Sequence, residues 1–125
     1  MGHEHSLEEF RRYREKMNEK ILARGNLGIK RFFNLDTQAY VDGALPRKTK
    51  ELLGLVASLV LRCDDCVTYH IIQCVDAKVT DEEFFELFNV GLIVGGSITI
   101  PHLRYAVDIL EECREKARNG SNVTL

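Results

Sequence analysis

The chain of 125 residues is long enough for one domain that buries roughly two-thirds of the surface its unfolded form exposes, so it can fold without disulfide staples. Its 17 basic and 19 acidic residues give a net charge of −2, and the sequence contains no basic block interleaved with aromatic residues. This charge balance argues against nucleic acid as a partner.

No segment of the sequence is apolar enough to predict a membrane span. The longest uninterrupted run of apolar or small residues, 52–61, is about half the required length, and the first residues lack the apolar core of a signal peptide. We therefore expect a cytoplasmic protein without a membrane partner. In that reducing compartment the four cysteines are expected to be ligands, catalytic thiols or buried small hydrophobes rather than permanent crosslinks.

The N-terminal segment 1–25 is predicted to be an amphipathic helix that ends at Gly25. Apolar residues recur at helical spacing and place one stripe on it, formed by Leu7, Phe10, Tyr13, Met17 and Ile21. The next segment, 27–45, is predicted to be a shorter helical or irregular stretch. Its core residues are expected to be Phe32, Phe33, Leu35 and Tyr40.

Between Pro46 and Asp76 the sequence predicts two helices rather than one. Proline suits the first turn of a helix, and one uninterrupted helix of about thirty residues would exceed the usual length in a small domain. We expect a break near Arg62–Cys63. The break would place Asp64 and Asp65 in the first turn of the second helix, where carboxylates favour the positive end of the helix dipole.

Two further helices are predicted toward the C-terminus. The first begins with a capping box formed by Thr80 and Glu83, and Gly95–Gly96 ends it. Its inward residues are expected to be Phe84, Phe85, Phe88 and Leu92. The last helix is predicted to run from Pro101 to about Lys116.

The predicted fold class is all-α. No segment alternates with the period of a strand, so we expect a single-domain helical bundle of five or six helices over residues 1–125. The helix that contains 52–61 is apolar on nearly all sides, and one small bundle has difficulty covering such a helix. We therefore expect a homo-oligomer.

The segment RCDDCVTYHIIQC, residues 62–74, carries the side chains with chemical potential. On a helix its three cysteines and one histidine fall on a single stripe, and Asp64 and Asp65 are expected to point away from it. The stripe consists of Cys63, Cys66, His70 and Cys74. Four side chains spread over roughly 16 Å along one helix cannot converge on one tetrahedral ion, so we predict neither a metal site nor a cofactor.

After a metal site, redox chemistry is the second hypothesis for Cys63 and Cys66. Their spacing allows a disulfide after a local distortion that a helix N-terminus tolerates, and the same N-terminus lowers the pKa of Cys66. His70 lies one turn further and is either a base for this thiol or a plain core or surface histidine. Cys74 and Cys113 are predicted to be buried small hydrophobes.

The stretch ELLGLVASLVLRCDDCVTYH resembles the carboxymuconolactone decarboxylase superfamily, specifically its alkylhydroperoxidase D-like branch. The shared pattern is Glu51, eleven residues, Cys-x-x-Cys, three residues and His70, and the likeness runs from about Phe32 to Cys113. The resemblance implies an all-α fold that assembles as a homotrimer or homohexamer. It also implies a thiol peroxidase or disulfide-reductase activity.

Carried over residue by residue, the resemblance implies a role for four side chains. Cys66 would be the thiol that is oxidised to sulfenic acid, with Cys63 as its disulfide partner and proton donor. Glu51 and His70 would form a proton relay, although Glu51 alone would be interpreted as a solvated or dipole-stabilising carboxylate. The expected partners are a hydroperoxide or protein disulfide as substrate and an external dithiol or lipoyl-type compound as reductant.

One position departs from the best-studied members of that branch. Asp65 stands directly before the second cysteine, where those members have histidine, so an acceptor-only anion replaces a possible proton donor. Two other functions stay open. One is decarboxylation of a small lactone acid by Glu51 and His70 with incidental cysteines, and the other is an oligomeric scaffold with inert thiols.

Overall fold

The computed structural model describes residues 6–121 and 123–125, and these residues form six α-helices and no strand. The helices are α1 (Ser6–Arg24), α2 (Leu27–Ala39), α3 (Arg47–Val60), α4 (Asp64–Asp76), α5 (Asp81–Gly95) and α6 (Ile100–Arg118), with a short 3-10 turn at Ser97–Thr99. The predicted all-α fold with five or six helices is confirmed. Residues 1–5 of the predicted N-terminal helix lie outside the described residues, and the domain extent 1–125 stays a prediction.

The core lies between the last four helices. α4 packs against α3 and α6, and α3 also packs against α5. Their apolar faces meet in one buried cluster that includes Leu55, Leu59, Val67, Ile71, Ile72, Phe84, Phe88, Ala106 and Ile109. Cys74 and Cys113 belong to this cluster as predicted, and burial raises the pKa of each thiol to about 12. None of the helices described is long and apolar enough to cross a membrane.

The break between α3 and α4 falls where the sequence predicts it. Arg62 adopts a left-handed conformation (φ 62°), and its N–H donates to the carbonyl of Leu59 at 3.0 Å. The N–H of Cys63 donates to the carbonyl of Ser58 at 3.1 Å, which completes a Schellman turn. The chain therefore leaves α3 sharply and presents Cys63 as the N-cap of α4.

The prediction of core residues in and just after α2 is wrong for two of the four residues. Phe32 is 68% exposed and Leu35 is 66% exposed, whereas Phe33 and Tyr40 are half-buried. No residue of α2 is buried within the described chain. Apolar character identifies side chains that avoid water, but it does not reveal whether the same chain covers them.

The predicted inward face of α5 is correct at two phenylalanines and wrong at a third. Phe84 and Phe88 are buried, Leu92 is half-buried, and Phe85 is 53% exposed with its ring edge against Phe88. Residues 84 and 88 lie one turn apart on the same side, and residue 85 is rotated about 100° from that side. The predicted capping box is present, with Thr80 and Glu83 each accepting from the other's backbone N–H.

Candidate active site

The two cysteines nearest the N-terminus of α4 form a disulfide. Cys63 is the N-cap and Cys66 is the third residue of the helix, with their Cα atoms 5.3 Å apart. The backbone N–H of Cys66 donates to the Sγ atom of Cys63 at 3.3 Å. Cys66 is exposed and Cys63 is half-buried, so Cys66 is the sulfur that an external reagent reaches more easily.

Glu51 of α3 and His70 of α4 are in contact with each other. The Oε1 atom of Glu51 lies 2.9 Å from Nδ1 of His70, and the two residues are only 1% and 8% exposed. With a proton on Nδ1, the imidazole donates to the carboxylate, and Nε2 remains as the acceptor of a neutral ring. The arrangement orients His70, as a base assisted by a carboxylate requires.

Gly54, one turn after Glu51 on α3, allows the imidazole to approach the helix. A Cβ atom at this position would lie 2.5 Å from Cε1 of His70 and 2.8 Å from Nε2. Any other residue would therefore displace the ring. The sequence prediction did not identify Gly54, although a glycine inside a helix costs about 1 kcal/mol relative to alanine and so signals close packing.

Two tyrosines flank the imidazole. The ring of Tyr40 is centred 5.4 Å from that of His70, and the ring of Tyr69 packs edge-on against it at 5.0 Å. Burial, followed by the nearby charge of Glu51, raises the pKa of both phenols above its usual range. Both tyrosines therefore remain neutral near pH 7 and restrict the motion of His70 without adding charge.

Cys66 and His70 open onto the same cleft, which has a volume of about 210 Å³. The cleft is lined by Arg14, Asp36, Asp65, Cys66, Tyr69 and His70. Asp65, which is expected to point away from the cysteine stripe, lines the same cleft as Cys66.

Asp64 does point away from the cleft, as predicted. Its carboxylate lies 2.7 Å from Nδ1 of His102, and its backbone carbonyl accepts from the hydroxyl of Thr68 at 3.0 Å. Thr68 in turn contacts the hydroxyl of Tyr105 at 3.0 Å. These contacts fasten the N-terminal turn of α4 to α6 and hold the cysteine pair in place.

The structure thus brings together the four side chains singled out in the sequence. Cys63 is bonded to Cys66, Cys66 shares a cleft with His70, and Glu51 reaches the cleft only through His70. Within residues 6–121 and 123–125 no cluster of three or more His, Cys, Asp or Glu side chains could hold a metal ion. The arrangement can deprotonate a thiol, and it can form and break a disulfide.

Comparison with known proteins gives a family and several similar structures. Residues 28–112 match the sequence model of the carboxymuconolactone decarboxylase family. A crystal structure of a protein of this family from Thermotoga maritima, for which an involvement in the antioxidative response has been suggested, is 56% identical. The match covers 94% of this chain and 99% of the Thermotoga maritima chain, with a TM-score of 0.90. A family protein from Legionella pneumophila is 27% identical over 89% of this chain and 96% of its own, with a TM-score of 0.75.

Two curated relatives match shorter stretches. An uncharacterized protein of Cupriavidus necator is 34% identical over 55 residues, which is 44% of this chain. The chain therefore spans about half of that relative's length, since the match covers 49% of it. An uncharacterized protein of the cox locus of Paracoccus denitrificans is 26% identical over 65% of this chain and 73% of its own.

Proposed function

The chain belongs to the carboxymuconolactone decarboxylase family, and from its cysteine pair we propose that it is a thiol-dependent peroxidase or disulfide reductase of the alkylhydroperoxidase D-like branch. One observation carries the proposal. Cys66, an exposed residue, shares a cleft with His70, whose Nδ1 is held by the buried carboxylate of Glu51. The role suggested for the similar protein of Thermotoga maritima agrees with this function.

The cycle begins with the reduced pair. The thiol proton of Cys66 passes to Nε2 of His70, directly or through one water, and Glu51 stabilises the imidazolium that results. The Cys66 thiolate then attacks an oxygen of the hydroperoxide, so that an S–O bond forms and the O–O bond breaks. The leaving alkoxide or hydroxide takes up a proton, and Cys66 is left as a sulfenic acid.

Cys63 resolves this intermediate. Its sulfur attacks the sulfenic acid, water leaves, and the disulfide between Cys63 and Cys66 forms. An external dithiol or lipoyl-type compound then attacks the exposed sulfur of Cys66 and returns both cysteines to thiols as it becomes a disulfide itself. The same exchange run against a protein disulfide would make the chain a disulfide reductase. We place the cycle in the cytoplasm, where dithiol reductants are abundant.

The direct test is turnover of a hydroperoxide at the expense of a dithiol. Wild type should consume both in equal amounts, and Cys66→Ser should consume neither. Cys63→Ser should form a sulfenic acid that a dimedone probe traps once per chain. This variant should not form the Cys63–Cys66 disulfide through which wild type turns over. Cys113→Ser, at a buried thiol far along α6, is the matched control and should retain the wild-type rate. Equal rates in wild type and Cys66→Ser would refute the proposal.

Decarboxylation of a small lactone acid is the second candidate. The observation that favours it is the Glu51–His70 pair, which could transfer protons beside the cleft without any help from the cysteines. This candidate predicts that Cys63→Ser and Cys66→Ser consume the lactone acid as fast as wild type. Loss of peroxide turnover in these variants, without any lactone consumption, would eliminate it.

The proposed assembly is a homotrimer or homohexamer. Phe32 and Leu35 of α2 are exposed, and the end of α5 and the turn after it add a second exposed apolar patch. That patch consists of Val90, Ile93, Val94 and Ile98. Large exposed apolar patches are typical of surfaces that bind another protein chain. Light scattering should give the mass of three or six chains, and a monomer at micromolar concentration would contradict the assembly.

A further inference from the structure

One side chain of the N-terminal helix lines the cleft of Cys66. The family match covers residues 28–112, and α1 lies outside that range. Arg14 of α1 nevertheless lies among the lining residues, together with Cys66 and His70. The guanidinium carbon of Arg14 is 4.6 Å from the ring centroid of Tyr69, which directly precedes His70 in α4. α1 therefore contributes a residue to the candidate site.

Arg14 differs in its contacts from the neighbouring arginine on the same helix. Arg12 is exposed and forms an ion pair with Glu8 at 3.2 Å. Arg14 is half-buried, and within the described part of the chain its guanidinium makes neither a hydrogen bond nor an ion pair. A guanidinium stacked on an aromatic ring keeps its N–H donors at the edge of its plane, where they can bind an anion.

The charges around Cys66 make this cation important. Of the described residues that line the cleft, Arg14 is the only cation, and Asp36 of α2 and Asp65 of α4 are carboxylates. Glu51 adds a further negative charge behind His70. Nearby carboxylates disfavour a thiolate, and a nearby cation favours it. Without Arg14 the cleft would oppose the anion that the proposed reaction needs.

We propose that Arg14 is the positive charge that stabilises the Cys66 thiolate and the alkoxide or hydroxide that leaves when a peroxide is reduced. The second half of this proposal rests on the proposed function, because the leaving anion exists only if the S–O bond forms as the O–O bond breaks. The first half concerns the thiolate alone and holds for any reagent that attacks Cys66. α1 thereby completes the electrostatics of a site whose thiols and proton relay lie on α3 and α4.

Two alkylating reagents of different charge test the proposal without any peroxide. Iodoacetate is an anion and iodoacetamide is neutral, and each transfers its carbon to the thiolate with loss of iodide. In a Cys63→Ser background, the ratio of their rates at Cys66 reports the charge near the sulfur, while the buried thiols of Cys74 and Cys113 stay unreactive. Arg14→Gln should lower the ratio roughly threefold to tenfold, as expected for the loss of a nearby unit charge that is screened mainly by water.

Three controls separate charge from structure. Arg12→Gln, on the same helix, should leave the ratio unchanged, and Arg14→Lys should restore most of it. At about 0.5 M salt the difference between wild type and Arg14→Gln should shrink, because the Debye length falls to about 4 Å. Equal ratios in wild type and Arg14→Gln overturn the proposal, as does a lowered ratio that Arg14→Lys does not restore.

Sulfenic acid formation distinguishes the two levels of the proposal. If peroxide fails to oxidise Cys66 in the Cys63→Ser background while the alkylation ratio still depends on Arg14, the proposed peroxidase function is wrong and the role in thiolate stabilisation stands. If peroxide oxidises Cys66 at the same rate with Arg14 and with glutamine, the peroxidase function stands and the assignment of Arg14 to the leaving anion is wrong.

Discussion

The carboxylate of Glu51 reaches across from α3 to Nδ1 of His70 on α4 at 2.9 Å, and both side chains are buried. This contact fixes the direction in which the imidazole faces. Gly54 and the rings of Tyr40 and Tyr69 also pack against the imidazole. In the proposed cycle the remaining ring nitrogen, Nε2, exchanges a proton with Cys66. A buried carboxylate paired with a histidine is costly unless each group satisfies the other.

The first prediction concerns the charge of Glu51. Glu51→Gln keeps the size of the side chain and an acceptor for Nδ1 but removes the charge that stabilises the imidazolium. We expect the rate of peroxide reduction to fall about tenfold or more, since general acid–base assistance contributes at least that much. The measurement is the second-order rate of Cys66 oxidation. Glu86→Gln, at an exposed carboxylate of α5, is the control, and equal losses in the two variants would contradict a relay role for Glu51.

The second prediction concerns the close approach at Gly54. Gly54→Ala should push the imidazole out of place, which lowers the free energy of unfolding by about 1–3 kcal/mol through overpacking and slows Cys66 oxidation. Gly28→Ala, on the exposed face of α2, has only an ordinary contact at 3.4 Å and should raise stability by about 0.5–1 kcal/mol. Chemical unfolding and the oxidation rate are measured on both. Opposite effects on stability support the packing; a fully active, stable Gly54→Ala variant contradicts it.

The third prediction concerns Asp65, which shares the cleft with Cys66. A carboxylate beside a thiol raises the thiol pKa, so Asp65→Asn should lower the pKa of Cys66, and Asp65→His should lower it further when the imidazole is protonated. A shift of one pKa unit corresponds to about 1.4 kcal/mol. The pH dependence of iodoacetamide alkylation, in a Cys63→Ser background, should move to lower pH in the order wild type, asparagine, histidine. Three superimposable curves would show that the charge of Asp65 does not affect thiol activation.

The fourth prediction concerns the buried thiols of Cys74 and Cys113, whose pKa burial raises to about 12. Each folded-state pKa lies above the unfolded value of about 8.5, so the stabilising contribution is complete below about pH 8.5 and is lost as the pH rises toward 12. The free energy of unfolding should fall by about 1.4 kcal/mol per pH unit and per thiol above about pH 9. Cys74→Val should remove half of this slope. An unchanged slope in that variant would assign the alkaline instability to other groups.

The sequence predicted the break between α3 and α4 because local chemistry determines it. Thirty uninterrupted helical residues are too many for a small bundle, and paired acids favour the first turn of a new helix. The residues alone did not predict the contact between Glu51 and His70, because it depends on how two helices pack. Gly54 was the missed signal, since a glycine in a helix interior is best explained by a group that needs its space.

Two other differences between the sequence prediction and the structure have a common cause, because both depend on contacts between segments that are distant in sequence or on separate chains. Phe32 and Leu35 are exposed although they are predicted to be core residues, because apolar character alone does not indicate which chain covers a side chain. Arg14 lies at the cleft of Cys66 although 52 residues separate the two in sequence. No spacing rule connects α1 to α4, so only the tertiary structure shows that α1 contributes to the cleft.

The measurement that tests the central claim most directly is the number of thiols that can be alkylated under denaturing conditions before and after exposure to a hydroperoxide. The reduced chain has four cysteines, and mass spectrometry of the intact protein should show four alkyl groups. After one equivalent of peroxide only two should remain, on Cys74 and Cys113, with Cys63 and Cys66 joined as a disulfide. Four alkyl groups after peroxide treatment would contradict a redox function for this pair.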